Sequence, residues 1–431
     1  MFSDSIIASD RQAGEVARTI HDIKAAQSSE QVLRSIVDGL PHEVIAGVSR
    51  SLEYERKELQ AALDAYQSAK AGAPEQIMHR AADDPGALLI ATRIARGWSQ
   101  KDLARKLGLR EQAIQRYEAE RYRSISLGNY LRVARTLSVE LSPKIRKGSH
   151  EWLSAGFEIP PKEMQKVLKH ARSHGWLNEG DKSDEKAINQ LVRYVTEHVE
   201  SFGTPSLLRT GLNVAEHTED WPLLSWKAQV TRRAMEIIRN NKVTYRPLDV
   251  SWLIELVRLS REKDGPLRAQ KLLLQHGIVL IAERNVPGMH VDGAAFLVGN
   301  VPVIGLTLLR DSLDNFWFTL LHEIGHVILH YRTGLASGFF DDVENSDVDE
   351  MEDEANRFAS NMLIPEDIWT CSPARIARTA GPVEQLADQL KISPAIIFGR
   401  IRMERKNYTI FSGKIGRGVV RKQLLTLSED R

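Results

Sequence analysis

Apolar residues recur every three or four positions along most of this chain, which is the spacing of the buried face of a helix. Residues 1–85 show this helical pattern. Six apolar residues there approximate the two core positions of a heptad repeat: Ile45, Val48, Leu52, Leu59, Leu63 and Tyr66. The spacing predicts either a helical hairpin within the chain or a short coil that joins two copies as a homodimer. A stretch marked by Gly, Pro and Asp at residues 71–85 predicts a domain boundary.

The helical pattern continues through residues 86–148, which predict a compact helical domain, and into residues 149–225. In that middle region it gives way to an irregular part, and we assign the region no role. The pattern changes again within residues 226–380. Two helical stretches there precede three short apolar runs, and Gly299-Asn300 between the last two suits a two-residue hairpin turn. We therefore expect a mainly α multidomain protein with one small sheet.

The motif with the clearest chemistry directly follows these predicted strands. His322 and His326 are four residues apart, so on a helix they lie about 40° apart around the axis. Both imidazoles can therefore bind one metal ion, and Glu323 can point toward a water on that ion. Residues 318–330 are largely apolar, and burial of these polar groups without a partner would be costly. This favours a metal site, with Zn²⁺ as the expected ion, over a chance motif on a solvated helix face.

A catalytic zinc takes three protein ligands and keeps a fourth position for water, so a third ligand is expected. His330 lies about 12 Å from His322 along a straight helix, which is too far for a shared ion. An acidic stretch is a better source, because residues 341–354 contain nine acidic residues and no basic one. On a helical wheel Glu352 and Glu354 flank the apolar face at about 75° and about 85° from its centre. The geometry alone therefore leaves both as candidates.

The segment 292–365 resembles the ImmA/IrrE family of metallopeptidases. The resemblance is carried by Asp292-Gly293-Ala294, by residues 315–330, and by Glu352, Glu354, Ala355, Asn356, Phe358, Ala359, Leu363 and Pro365. It implies a zincin-like α+β domain in which His322, His326 and Glu352 bind zinc as a gluzincin-like His-His-Glu site, with Glu354 as the alternative third ligand. It also implies a zinc-dependent metalloendopeptidase with Glu323 as the general base.

A basic segment upstream has the layout of a helix-turn-helix. Residues 87–149 contain 14 Lys and Arg against 5 Asp and Glu. Ser99 can cap a first helix with Asp102 as its capping-box partner, and Gly108 provides the turn. Four side chains remain directed outward near the start of the second helix, where a recognition helix reads base edges: Glu111, Gln112, Gln115 and Arg116.

The segment 87–141 resembles the lambda-repressor-like XRE helix-turn-helix family. This implies an operator in double-stranded DNA as a partner, and we also expect Gln100, Arg110 and Arg121 to contact DNA. Arg110 stands where the family usually has a small capping residue, which weakens the cap but places a positive charge near phosphate. The alternative is a helical bundle that binds no nucleic acid, and the positive surplus favours DNA.

The same layout returns more weakly within residues 381–431. Residues 386–401 repeat the spacing, and Ser393-Pro394 suits the start of a second helix. That helix is apolar, with Ile396, Ile397 and Phe398 in its first turns. This favours a role in packing or partner binding over base reading, and the tail beyond it is basic.

The composition indicates the cellular compartment in which we expect the protein. With 431 residues, of which 42% are hydrophobic and 27% charged, the chain has the composition of an ordinary soluble protein of roughly two to four domains. Its single cysteine, Cys371, excludes an internal disulfide and fits a reducing compartment. There is no signal-peptide pattern and no run of eighteen apolar residues. We therefore expect a cytoplasmic protein without a membrane partner.

Two functions are consistent with these motifs. In the first, which the family resemblance implies, a DNA-binding zinc metalloendopeptidase cleaves a repressor, another regulator or a toxin. It would thereby control a stress, mobile-element, toxin–antitoxin or phage-defence operon. In the second, a transcriptional regulator or antitoxin-like protein carries a zinc domain that is structural or sensory. The intact Glu323 favours the first, because structural zinc sites generally have four protein ligands and no such base.

Overall fold

The computed structural model describes residues 6–28, 39–82, 84–119, 121–122, 125–140, 161–177, 184–198, 207–208, 221–241, 243–246, 249–331, 335 and 345–425. Much of the middle region 149–225 and the first four residues of the acidic stretch lie outside the described residues. The described ranges contain eighteen α-helices and four β-strands. The prediction of a mainly α protein with one small sheet is therefore confirmed.

The chain divides into two compact units. Residues 1–32 and 52–157 form the first unit, and residues 33–51 and 158–431 form the second. Most of the predicted N-terminal helical segment thus shares a unit with the predicted helix-turn-helix segment. Within the described ranges, no helix combines the length and the apolar character that a membrane crossing needs.

The first unit begins with helix α1 (Asp10–Ser28) and contains most of helix α2 (His42–Lys70). The two helices run antiparallel, because Asp10 at the start of α1 accepts hydrogen bonds from Tyr66 and Lys70 near the end of α2, at 3.0 and 2.6 Å. Four heptad-like residues of α2 in this unit are buried within the chain: Leu52, Leu59, Leu63 and Tyr66. The structure therefore follows the intrachain-hairpin alternative, and a homodimer stays a prediction.

Five short helices complete the first unit: α3 (Glu75–Arg80), α4 (Pro85–Ala95), α5 (Gln100–Leu107), α6 (Glu111–Ala119) and α7 (Leu127–Thr136). Local sequence explains where they start. Asp84 caps α4, Ser126 caps α7, and Ser99 forms the predicted capping box with Asp102 at α5. Gly108 ends α5 with a φ of 65°, a left-handed conformation that glycine adopts without strain. The chain therefore turns into α6 as predicted.

A buried ion pair joins α4 to α6. Nε and Nη2 of Arg93 donate to the two carboxylate oxygens of Glu118 at 2.6 and 2.8 Å, and the side chains are 3% and 0% exposed. Arg93 also donates to the backbone carbonyls of Trp98 and Ala8, and Gln100 donates to Glu118 at 2.8 Å. Both charges are buried and paired with each other. Removal of either side chain would therefore leave the other charge buried without its counter-charge.

We expect Arg93→Ala to destabilise α4 and α6 by about 3–5 kcal/mol, because the Glu118 charge would stay buried without its cation. Hydrogen exchange at the backbone amides of the two helices measures this loss as a free energy of local opening. Arg105→Ala is the matched control, since Arg105 pairs with Asp102 at the surface and is 75% exposed. The control should cost no more than about 1 kcal/mol. Equal exchange rates in the two variants would contradict the prediction.

The second unit contains the sheet. Its strands are β1 (Leu207–Leu208), β2 (Val279–Ala282), β3 (Gly293–Val298) and β4 (Val301–Leu306), in the order β1-β3-β4-β2. β3 and β4 form an antiparallel hairpin that turns at Gly299, where φ is 61°. β2 runs parallel to β4, and β1 runs antiparallel to β3. The three predicted apolar runs are thus strands, whereas the two-residue β1 was not predicted.

Five helices precede or flank these strands: α8 (Pro161–Ser173), α9 (Asp184–His198), α10 (Trp221–Asn240), α11 (Leu253–Arg258) and α12 (Gly265–Gln275). A 3-10 turn, Leu259–Arg261, lies between the last two. α10 packs on the sheet at Gly305, where an added Cβ would lie 2.6 Å from Trp226. Side chains alternate between the faces of a sheet, so Leu306 and its partner Gly293 face the opposite side. Helix α13 (Leu313–Leu329) covers that side.

Five helices follow α13 in the described part of the chain. They are α14 (Asn345–Leu363), α15 (Glu366–Cys371), α16 (Gly381–Leu390), α17 (Pro394–Glu404) and α18 (Val420–Leu424), with a 3-10 turn at Pro373–Ile376. Among them, α14 and α17 pack against α13. α17 buries Ile396, Ile397 and Phe398. An added Cβ on Gly399 would lie 2.5 Å from the Asp314 side chain, so glycine lets α17 approach α13 closely. The second helix of the C-terminal segment therefore packs on the helix that carries the histidine motif.

Candidate metal centre

Helix α13 holds the histidine motif in a buried setting. The apolar residues at helical spacing are buried: Phe316, Leu320, Ile324, Val327 and Ile328. The helix begins after Ser312 and ends before His330. His322, Glu323 and His326 are each 0% exposed. Their polar groups therefore have no direct access to bulk water and need partners inside the protein.

A contact between small residues brings α14 close to α13. An added Cβ on Gly325 would lie 3.2 Å from Cα of Ala355 and 3.3 Å from Phe358, so a larger side chain would force the helices apart. The face of α14 that packs here is the predicted one, since Ala355, Phe358 and Ala359 are buried. Glu352 lies one helical turn before Ala355. The close approach therefore carries its carboxylate to the two histidines.

Three side chains converge on one point. The carboxylate oxygens of Glu352 lie 3.3 Å from Nε2 of His322 and 3.3 Å from Nε2 of His326, and the two nitrogens are 3.1 Å apart. Among the described residues this is the only group of three or more His, Cys, Asp or Glu whose ligand atoms all lie within 4.8 Å of one another. Glu354, the alternative third ligand, reaches His330 instead, with Oε2 3.1 Å from Nε2.

The outer nitrogen of each histidine faces a partner of its own. Nδ1 of His322 lies 3.1 Å from Oδ1 of Asn356, and an amide oxygen can only accept. This contact assigns the proton of His322 to Nδ1 and leaves Nε2 with a lone pair. Nδ1 of His326 lies 3.1 Å from Nδ1 of His330. No local pattern predicts this role of Asn356, which enters the sequence motifs only through the family resemblance.

The protonation states suit a cation at the centre of the cluster. Burial lowers the pKa of His326 to about 3, which keeps the ring neutral. Burial alone would raise the pKa of Glu352, but the contacts with His322 and His326 outweigh it and lower the pKa to about 2. Three electron-pair donors thus face one another, and a divalent cation satisfies all of them at once. Two imidazoles and one carboxylate, with a position left for water, are the ligand set of catalytic zinc sites.

Glu323 lies on the side of α13 that faces strand β3. An added Cβ on Gly293 would lie 2.8 Å from Oε1 of Glu323, 2.9 Å from Leu306 and 3.0 Å from Thr319. A residue without a side chain at position 293 therefore leaves room for the carboxylate. Gly293 belongs to the residues that carry the family resemblance, but no local pattern explains it, because the contact depends on how β3 packs against α13.

We expect Gly293→Ala to destabilise the second unit by about 1–3 kcal/mol, because the new methyl group overpacks the space that the Glu323 carboxylate occupies. Gly413→Ala is the control, since an added Cβ at Gly413 meets nothing within 4 Å. The loss of unfolded-chain entropy is the same in both variants and cancels in the comparison. Calorimetric melting of the two metal-free proteins measures the difference. Identical melting temperatures would show that position 293 tolerates the methyl group.

The predicted DNA-contacting residues fall into two groups. Arg110 and the outward-facing residues of α6 are exposed: Arg110, Glu111, Gln112, Gln115 and Arg116. Gln100 and Arg121 instead have partners inside the unit. Gln100 donates to Glu118, and Arg121 forms an ion pair of 2.8 Å with Asp84. A DNA contact by either side chain would therefore have to replace or share these bonds.

Two segments of the chain match known protein families. Residues 274–401 match the model of a peptidase family described as the IrrE N-terminal-like domain, and residues 89–143 match a model described as helix-turn-helix. They occur in the predicted order, so both resemblances are confirmed. No curated protein and no solved structure matches the chain.

The first match contains the whole His322, His326 and Glu352 cluster together with Glu323. The second contains α5, α6 and α7. The class of protein that these features define is a DNA-binding, protease-like regulator with a domain of metallopeptidase type.

Proposed function

We propose that this protein is a regulatory zinc metalloendopeptidase that binds an operator in double-stranded DNA and cleaves a repressor or another regulatory protein. The substrate would be the product of a neighbouring gene, such as a repressor or a toxin. Its cleavage would switch an operon of the stress, mobile-element, toxin–antitoxin or phage-defence type. The observation that carries the proposal is the convergence of His322, His326 and Glu352 in a chain that also contains a helix-turn-helix.

The proposed reaction is hydrolysis of a peptide bond. His322, His326 and Glu352 would hold the ion and leave one position for water. When bound, zinc would lower the pKa of a coordinated water toward about 7 and polarise the scissile carbonyl. As the base, Glu323 would accept a proton from the attacking water while the water oxygen bonds to the carbonyl carbon. The same carboxyl group would then give this proton to the leaving amine as the C–N bond breaks.

The DNA-binding part of the proposal rests on the exposed face of α6. Gln112 can form two hydrogen bonds with adenine, and Arg116 can do so with guanine. Arg110 precedes the helix and is exposed, which suits a phosphate contact. The base-reading residues would set the operator sequence, whereas Arg110 would add affinity for any sequence.

The second candidate function is a transcriptional regulator or antitoxin-like protein whose metal site is structural or sensory. The observation that favours it is the complete burial of His322, Glu323 and His326, because a substrate must reach the site of hydrolysis. Against it stands the ligand set, since a structural zinc generally has four protein ligands. Whether zinc-loaded protein cleaves any regulator encoded beside its gene distinguishes the two functions.

We expect Glu323→Gln to bind zinc as the wild type does and to lose cleavage by at least about 100-fold, because it removes the general base and no ligand. The assay combines metal analysis with mass spectrometry of repressor and toxin proteins encoded beside the gene. Glu350→Gln is the matched control on an exposed acid and should cleave normally. His322→Ala should lose zinc and cleavage together. Full cleavage by Glu323→Gln would rule out this residue as the base.

We expect the double variant Gln112→Ala/Arg116→Ala to lose operator discrimination while its zinc content stays unchanged. Each two-bond contact with a base contributes about 1–3 kcal/mol of discrimination. Selection from a random DNA library, at a fixed salt concentration, measures the preference before and after substitution. Arg268→Ala, which removes an exposed arginine from the other unit, is the control. If the double variant selects the same sequence as the wild type, α6 is not the recognition helix.

A further inference from the structure

We propose that Arg50, Glu354 and His330 form a hydrogen-bonded relay that orients the metal ligand His326. We call these three residues the His330 relay. The inference rests on the proposed metal site and adds positioning residues to it. Arg50 belongs to helix α2, far outside residues 274–401, so part of the metal site would come from outside the matched peptidase segment.

The His330 relay is continuous from the cluster to the protein surface. Nδ1 of His326 lies 3.1 Å from Nδ1 of His330, and Nε2 of His330 lies 3.1 Å from Oε2 of Glu354. The other oxygen of Glu354 accepts a hydrogen bond of 3.0 Å from Nη2 of Arg50. The side chains of His330, Glu354 and Arg50 are 4%, 24% and 66% exposed. The series thus starts at a fully buried ligand and ends in water.

The charged end of the His330 relay determines which ring nitrogen of each histidine carries a proton. Arg50 can only donate hydrogen bonds, and an ionised Glu354 can only accept them. Nε2 of His330 therefore carries a proton and donates a hydrogen bond to the carboxylate. Neutral His330 then has a lone pair at Nδ1, which accepts the N–H of His326. This leaves His326 with its lone pair at Nε2, the atom in the centre of the cluster. The hydrogen bonds therefore hold the ring in the tautomer and the orientation that a metal ion requires.

Helix α2 is attached to both helices of the metal site close to Arg50. The hydroxyl group of Ser51 donates to the backbone carbonyl of Ile328, near the end of α13, at 2.9 Å. The side-chain amide of Asn361 in α14 donates to Glu43 at 2.7 Å. These bonds lie on either side of Arg50 in the sequence. They hold this part of α2 beside α13 and α14, so that the guanidinium group of Arg50 lies within reach of Glu354.

The alternative is that Arg50 and Glu354 form an ordinary surface ion pair. Such a pair contributes little to stability and does not orient a metal ligand. The two interpretations predict opposite changes in metal affinity when the side chain of Arg50 is removed. Removal of a positive charge from the neighbourhood of a cation site would by Coulomb's law strengthen metal binding. Loss of an orienting hydrogen bond would weaken it.

The test measures the zinc affinity of metal-free full-length protein in competition with a chromophoric chelator. We expect Glu354→Gln to weaken zinc binding by about 10–100-fold, the usual effect of disturbing a partner behind a ligand, because a neutral amide can donate as well as accept and no longer holds the proton of His330 at Nε2. Asp353→Asn is the matched control, because it removes the same charge from the adjacent, exposed position of α14 and should bind zinc normally. Arg50→Met should weaken binding in the same direction as Glu354→Gln but less, since Arg50 is largely in water.

Substitutions of His330 provide a second line of the same test. His330→Leu should weaken zinc binding at least as much as Glu354→Gln, and His330→Gln should restore part of it because an amide can both accept and donate. The visible spectrum of the Co²⁺-loaded protein should shift in His330→Leu and not in Asp353→Asn. If His330→Leu does not fold by circular dichroism, the variants of the half-buried Glu354 and the exposed Arg50 still decide the question.

The outcomes distinguish failure of the His330 relay from failure of the proposed function. If Glu354→Gln binds zinc as tightly as Asp353→Asn, the His330 relay does not position His326. Unchanged or tighter binding by Arg50→Met would remove α2 from the relay. A wild-type protein that binds no zinc would instead defeat the proposed function on which the inference rests.

Discussion

Gly325 of α13 meets Ala355 of α14 at a tight contact, where an added Cβ would lie 3.2 Å from Cα of Ala355, and the rest of the candidate site depends on this contact. Two histidines on one helix can supply only part of a tetrahedral shell. The remaining donor must come from a different helix, at a distance that ordinary side chains between the helices would prevent. Because small residues meet at this crossing, Glu352 reaches the nitrogens of His322 and His326 while its own helix stays regular.

Burial of the three side chains restricts what can lie at the centre of the cluster. Two neutral imidazoles and a carboxylate that face one another in the interior are tolerated only when something positive lies among them. The hydrogen bonds behind the ring nitrogens make this requirement stronger, since they place the proton of His322 on the outer side, toward Asn356, and that of His326 toward His330. The three donor groups thus lie close enough together to hold one cation, and Gly293 leaves room for the Glu323 carboxylate on the same helix.

Much of this arrangement depends on local patterns and could therefore be predicted. The spacing of His322 and His326 determines their common helix face, and the strands before them were recognisable as short apolar runs. The choice of Glu352 over Glu354 needed the family resemblance, because a difference of about 10° on a wheel is smaller than the freedom of a long side chain. Arg50 could not be predicted, since it meets Glu354 across a sequence separation of 304 residues and no local pattern encodes such a contact.

The position of residues 33–51 in the second unit also changes how the chain connects its parts. The helix-turn-helix segment is not an appendage placed before a peptidase domain, because the sequence of the second unit begins ahead of it and resumes after it. In topological terms the helix-turn-helix segment is an insertion in the second unit. A single break of the backbone after the helix-turn-helix segment would therefore leave Glu43, Arg50 and Ser51 on a different fragment from their partners Asn361, Glu354 and Ile328.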